Sequence, residues 1–190
     1  MILTGRNVLL RPLMVADAEI THKWRESPRA FLLNRGARSV VEQRRWIAAR
    51  QFAPRSEMNF IQQLTTGEPV GMISLLNISP THKHAEIGHF LIGEPDLVRP
   101  YGPGKIAAES TRLIYELAFD TLGLRSHWGP VAAENKQMMQ WNAYFGARII
   151  GRLTDHYFLN DHWQDAVLFQ MTEEDYRTVA VPRLRGFLGF

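Results

Sequence analysis

The segment Arg99-Pro-Tyr-Gly-Pro-Gly-Lys105 divides two kinds of patterning. Before it lie short apolar runs of strand length. After it, Ile106, Leu113, Ile114, Leu117 and Ala118 recur at helical spacing. A loop so placed must turn a strand into a long helix, which restricts the chain to a mixed class of fold. Gly102 and Gly104 let backbone approach a ligand closely, Pro103 suits a first helical position, and Arg99 and Lys105 add positive charge. The N-terminus of the following helix offers unpaired N–H groups and the positive end of its dipole, the ingredients of an anion site. A plain chain-reversing turn has the same composition. The segment is neither the dinucleotide fingerprint nor the Gly-x-x-x-x-Gly-Lys-Ser/Thr phosphate loop.

Period and punctuation order the rest. Asn7 to Pro12 reads as a first strand. Asp17 caps a helix to about Arg25, ended by Ser27-Pro28. Ser39 caps a second, Val40 to about Gln51, with Glu42 completing a capping box; Phe52 to Pro54 is loop. Met58 to Leu64, Val70 to Leu75 and Ala85 to Ile92, separated by turns at Thr65–Pro69 and Ser79-Pro80, predict an antiparallel meander. The long helix ends near Leu122 at Gly123. Strand Ser126 to Val131 follows, then a helix from Lys136 to Phe145 stopped by Gly146. Arg148 to Leu153, Tyr157 to Leu159 and Ala166 to Met171 close the sheet. Residues 179–190 are apolar and basic with neither period, and read as a tail that docks on the body or on a second subunit. The expected class is α/β in the mixed α+β sense, one domain over residues 1–190. Trp24, Trp46, Trp141 and Trp163 are expected in its core.

Composition excludes several chemistries. With no cysteine, disulfides, thiolate metal sites and an acyl-cysteine intermediate are ruled out. His82, His84 and His89 lack the spacing of a zinc set, so no metal is expected. No apolar run reaches bilayer length and the start lacks a signal-peptide layout, so a cytoplasmic location is expected. The net charge of +3 is mild. Between Arg25 and Arg55 arginines outnumber the acids Glu26 and Glu42, a pattern that fits a solvated helix face better than a dedicated anionic partner. With no nucleic-acid motif, a nucleic-acid binder is disfavoured.

Arg99-x-x-Gly102-x-Gly104 resembles the Gln/Arg-x-x-Gly-x-Gly/Ala motif of the GNAT acetyltransferases. The likeness covers nearly the whole chain. Leu9-Leu10-Arg11-Pro12 with Asp17-Ala18 and Trp24 looks like the start of the branch of ribosomal-protein N-terminal (alanine) acetyltransferases. Ala85-Glu86-Ile87-Gly88 looks like the family's fourth strand, and Glu134-Asn135 with Gly146 like its following strand and helix. The resemblance implies a three-layer fold, a mostly antiparallel mixed sheet of about seven strands flanked by helices, with acetyl-CoA as donor. It implies that the backbone of Phe90, Leu91 and Ile92 pairs with the pantetheine arm. Backbone N–H groups of Tyr101, Gly102, Gly104 and Lys105 would hold the pyrophosphate, where Arg99 begins the motif, and Asn135 would contact the cofactor from the far side. Pro103 has no N–H to give.

Acetyl transfer to an amine requires a neutral amine, a stabilised carbonyl oxygen and a tolerated thiolate. Glu86 is the expected base, directly or through a water. It stands in an otherwise apolar strand and by strict alternation shares a face with Gly88 and Phe90, a grouping that a bulge in this strand would shift. A strand-start glutamate paired with His82, Lys83 or His84 is the bland alternative, and His84 and His89 are rival bases. No acid is evident. The family's usual tyrosine and serine positions hold Asn142 and Met138, and Tyr144 points about 200° away along its helix, so either another group such as Tyr101 or Tyr157 serves or the thiolate leaves with the help of solvent. The expected function is N-acetylation of a primary amine, a protein N-terminus or an amino sugar. The alternative is an inactive acyl-CoA-binding module with a sensing or scaffolding role. The apolar tail also allows a homodimer.

Overall fold

The computed structural model describes residues 1–33, 36–51, 56–102 and 104–189. The expected loop Phe52–Pro54, Arg35, Pro103 and the terminal Phe190 lie outside the described residues.

Among the described residues eight strands form one sheet: β1 (Leu3–Thr4), β2 (Val8–Pro12), β3 (Met58–Leu64), β4 (Pro69–Ser79), β5 (His84–Ile92), β6 (Ser126–Ala132), β7 (Arg148–Leu159) and β8 (His162–Thr172). Their order is β1-β2-β3-β4-β5-β6-β8-β7. All neighbours are antiparallel except β5 and β6, which run parallel. The two segments expected after Arg148 fuse into the single strand β7, and a two-residue β1 joins the edge.

Alternation along the central strands sends apolar side chains to both faces, and both are covered. Phe60, Ile73 and Leu75 pack toward α4 (Lys105–Tyr115) and the C-terminal helix. Ile61, Met72 and Leu91 pack toward α1 (Ala18–Arg25) and α2 (Val40–Gln51), where Trp24 and Ile47 are buried. The caps hold with changed partners. Asp17 precedes α1, but its carboxylate turns back to the Met14 N–H (2.8 Å) and to Arg11 (2.7 Å). Ser39 Oγ accepts from the Glu42 N–H (3.2 Å), while Glu42 reaches the N–H of Arg38 rather than of Ser39.

A single turn, α3 (Pro95–Val98), leads into α4. The long helix continues to Leu122 as expected, but Glu116–Thr121 widens to π geometry. Glu109 of α4 is buried and accepts from the backbone N–H groups of Arg6 and Asn7, tying the β1–β2 turn to the helix. After β6 comes α5 (Lys136–Tyr144).

The C-terminal segment departs from expectation. Thr172 and Asp175 cap α6 (Glu173–Asp175), which passes through a π turn into α7 (Val181–Leu188). Ala180 and Leu184 are buried and Phe187 packs beside them, a 3.6-residue stripe that Pro182 and Gly186 obscure in the sequence. Trp163 is also misplaced by the core expectation. It lies on the outer side of β8, 60% exposed against Phe158.

Candidate active site

Parallel pairing of β5 with β6 covers only His84↔Ser126, Ala85↔His127 and Glu86↔Trp128. Gly129-Pro130 follows, and a proline cannot donate to a ladder. Beyond that point β5 stays with β4 and β6 stays with β8, so the two strands separate and leave a wedge in the sheet. Backbone polar groups facing this wedge have lost their sheet partners, a standing invitation to a ligand with amides of its own.

A bulge shapes the β5 side of the wedge. Ser74 pairs with Gly88 and Met72 with Leu91, so His89 and Phe90 together oppose Ile73. His89 takes φ 53 to allow this. The extra residue resets alternation, which corrects the expected grouping of Glu86, Gly88 and Phe90. Glu86, Gly88 and His89 face the α1/α2 layer. Phe90 turns to the opposite layer, beside Trp141 at 6.3 Å. The Gly93 N–H bonds to Val70 O (2.8 Å), so the Leu91 and Gly93 backbones face β4 while those of Phe90 and Ile92 face the wedge. Leu91, expected to pair with the cofactor, is instead committed to β4 through its backbone and to the α1/α2 core through its side chain.

At the inner end lies a cavity of about 200 Å³ whose lining includes Arg25, Glu86, His89, Met138, Asn142 and Tyr157. The Glu86 carboxylate accepts from Asn77 Nδ2 (3.0 Å), and burial raises its pKa above the ordinary 4.5 despite that bond. Gly129 is what makes room for it, since a Cβ there would stand 3.3 Å from Glu86 Cγ. Tyr157 comes from β7; burial, and then the nearby Glu86 charge, push its phenol up to about 12. Tyr144 instead packs on Phe145 and Phe187, as its helical position predicts.

The rival histidines have structural partners. His84 stacks on His82. Ser74 Oγ donates to Asn59 Oδ1 (2.7 Å) and so accepts from His89 Nδ1 (3.1 Å), which leaves Nε2 with its lone pair. Burial first, and then the charge of Arg25, lower the His89 pKa to about 4, so the ring is neutral at pH 7.

A second, outer cavity of about 500 Å³ includes Phe90, Leu91, Ile92, Gly102, Gly104 and Asn135 in its lining. The structure thus gathers six of the expected cofactor residues. Gly104, at φ 70 just before α4, is closely walled: a Cβ would stand a tight 3.3 Å from the tip of the Phe187 ring and in ordinary contact with Trp141 at 3.6 Å. Asn135 caps α5 through the Met138 N–H (3.0 Å). Arg99, Tyr101 and Lys105 are not in this lining. Arg99 is exposed and pairs with Asp96. The Gly102 N–H bonds to Arg99 O (3.1 Å) and the Lys105 N–H to Gly102 O (3.4 Å), so neither amide is uncommitted. Three contributors escaped the sequence reading. Arg29 donates from Nε to Ile92 O (2.8 Å), and Phe187 walls the loop. Gly129 was legible only as a Gly-Pro pair inside a strand.

The family model described as acetyltransferase (GNAT) domain matches residues 7–147 of the chain. The chain belongs to the GNAT acetyltransferase family. It is accordingly an acetyl-CoA-dependent N-acetyltransferase. Among solved structures, this acetyltransferase is similar to a chimera of the Vibrio cholerae spermidine N-acetyltransferase at 20% identity. That match covers 91% of this chain and 99% of the other, with a TM-score of 0.79. A GCN5-related N-acetyltransferase from Brucella melitensis matches at 20% identity over 99% of this chain and 85% of its own, with a TM-score of 0.79. The Vibrio cholerae spermidine N-acetyltransferase in complex with CoA and spermine matches at 19% identity over 92% and 100% of the two chains, with a TM-score of 0.77. No curated protein matches. At such identities the structures establish the GNAT fold of this chain and leave its acceptor open, and the likeness to the ribosomal-protein branch stays at the level of its motifs. Among the described residues no helix is long and apolar enough to cross a membrane.

Proposed function

We propose that this GNAT acetyltransferase moves the acetyl group by direct attack of a primary amine inside the wedge between β5 and β6, with Glu86 as general base. The observation that carries this reading is the position of Glu86 at the last rung before the strands part, facing the inner cavity with its pKa raised. Burial brings a carboxylate closer to the working range of a base, and the Asn77 bond holds it in place. The residues present suit the donor. The wedge-facing backbone of Phe90 and Ile92 offers strand-like pairing to the amide-bearing pantetheine arm. The side-chain-free surface at Gly102 and Gly104, before the positive end of α4, suits its diphosphate. Asn135 closes the far wall.

The chain's own groups then divide the work. Glu86 takes the proton from the amine, directly or through a water. The wedge-facing amides hold the carbonyl in register. The Tyr157 phenol, which stays protonated at neutral pH, donates a hydrogen bond toward the departing sulfur. Tyr157 thus occupies the role that Asn142 and Met138 leave open, which favours catalysis over a binding-only module. A protein N-terminal α-amine fits the branch resemblance, an amino sugar is the second candidate, and the solved relatives named for spermidine add a polyamine. The test is release of free CoA from acetyl-CoA across an amine panel. Turnover with at least one amine, lost in Glu86→Gln, is expected; turnover untouched by that substitution removes Glu86 as the base.

A further inference from the structure

His89 is the residue that the β5 bulge turns round. Strict alternation from Glu86 would send its ring to the α4 layer. At φ 53 it points to the α1/α2 side instead, with Glu86, and both residues line the inner cavity. A left-handed backbone at a histidine is strained, and such strain gathers where a side chain must be aimed. Gly88 stands between the two in the strand and places no side chain between carboxylate and imidazole. A Cβ there would lie 3.9 Å from Glu86 Oε1 and 2.7 Å from Leu76 Cδ1.

A relay across three strands fixes which nitrogen of the ring carries the proton. Glu57, paired with Arg50 at 3.1 Å, is a carboxylate and only accepts. Asn59 of β3 turns its Nδ2 to Glu57 (3.5 Å) and its Oδ1 to Ser74 of β4, whose hydroxyl donates at 2.7 Å. Ser74 Oγ is left to accept, so His89 gives it the Nδ1 proton at 3.1 Å. Trp46 of α2 meets the ring in a T-shaped contact at 5.9 Å. His89 Nε2 has no hydrogen-bond partner among the described residues, and unlike His84 Nδ1 and His127 Nε2 it is not sealed inside the protein. Burial keeps the ring neutral at pH 7, so Nε2 is a fixed acceptor without charge.

A primary amine attacking the acetyl carbon has two N–H bonds and one lone pair. The lone pair forms the C–N bond as the C–S bond breaks, and one proton passes to Glu86. The second N–H remains on the amide product and needs an acceptor while the nitrogen is in the cavity. We infer that His89 Nε2 accepts this second N–H, which makes His89 the residue that selects primary over secondary amines. The inference rests on the transferase reading above and narrows its acceptor. An N-methylated amine gives its only N–H to Glu86 and sets a methyl group against an acceptor that is then left unpaired.

The test compares kcat/KM, by free CoA release, for butylamine, glucosamine and an alanyl peptide, each against its N-methylated form. The wild type is expected to prefer the primary member of every pair it turns over by about tenfold or more. His89→Leu, of similar reach but with no acceptor, is expected to bring that ratio to within about threefold of unity. His89→Gln, whose Oε1 can stand where Nε2 stood, is expected to keep more of it. A ratio taken on one preparation is independent of its folded fraction, so a purely structural role for His89 leaves it unchanged. Equal use of the N-methylated forms by the wild type, or a ratio unchanged in His89→Leu, overturns the inference and leaves the transferase reading standing. Absence of turnover with every amine overturns both. Where the variants fail to fold, the imidazole nitrogen resonances of the wild type with CoA bound decide the matter. One unprotonated Nε2 that shifts on addition of the primary amine and not of its N-methylated form is expected, and the lack of any such shift overturns the inference.

Discussion

Glu86 owes its chemistry to its surroundings rather than to its type. The same carboxylate one residue earlier would point into the α4 layer, where Ala85 sits fully buried. At its actual position it meets Gly129, Asn77 and open cavity. A base with a raised pKa must lose its proton before it can act, so the rate should climb with pH through a value above the ordinary 4.5. Glu86→Gln is expected to lower kcat/KM by about two to three orders of magnitude and to abolish that limb of the pH profile. Tyr157→Phe is expected to lower kcat by about tenfold to a hundredfold while the KM for acetyl-CoA moves little, measured in the same assay. Of these two residues the sequence singles out Glu86 as the acid inside an apolar strand, and offers Tyr157 only as one of two phenols beside Tyr101. Tyr157 reaches the cavity because β7 pairs with β8, which itself pairs with β6, a pairing order that local pattern does not encode.

Among elements, the start of α4 depends on a helix far along the chain. Phe187 of α7 stands against the position where a Gly104 side chain would grow, and Trp141 of α5 completes the wall. Gly104→Leu therefore meets two obstacles, a left-handed φ of 70 that costs a side chain about 1–2 kcal/mol and the ring tips of Phe187 and Trp141, which must give way to it. The expected result is a lowered melting temperature and at least about a tenfold loss of CoA affinity, read by thermal unfolding and calorimetry. The glycines and the helix after them could be read from sequence because both are local signals. The α7 stripe was hidden by a proline in its first turn and a glycine near its end. A bulge in β5 was an open alternative in the sequence, but its place at His89 was not readable, because a positive φ at a histidine follows from the register of β4 rather than from the residue.

Across the whole molecule, two neutral histidines link the fold to pH. His127, fully desolvated and stacked on Tyr115, has its pKa lowered by burial to about 4, and His89 stands at about 4 as well. In the unfolded chain both take up a proton as pH falls through 6.5, whereas the native rings refuse it until about 4. The unfolded state then holds more protons, so stability falls as pH drops across that window, by on the order of 3 kcal/mol for each ring at its lower end. Glu86 opposes this weakly, since its raised pKa lets the native state bind a proton first. Urea unfolding at pH 7 and pH 5 should show a lower midpoint at pH 5, and His127→Gln should flatten the difference.

The wedge between β5 and β6, opened by Gly129-Pro130 and closed at its mouth by Gly104, underlies every functional statement made for this chain. Calorimetric titration of the full chain with CoA tests it most directly. One site per chain is expected, with a Kd of about 1–100 μM, and binding at least about tenfold weaker from Gly104→Leu under the same conditions. Absence of heat with the wild type, or the same heat with Gly104→Leu, would contradict it.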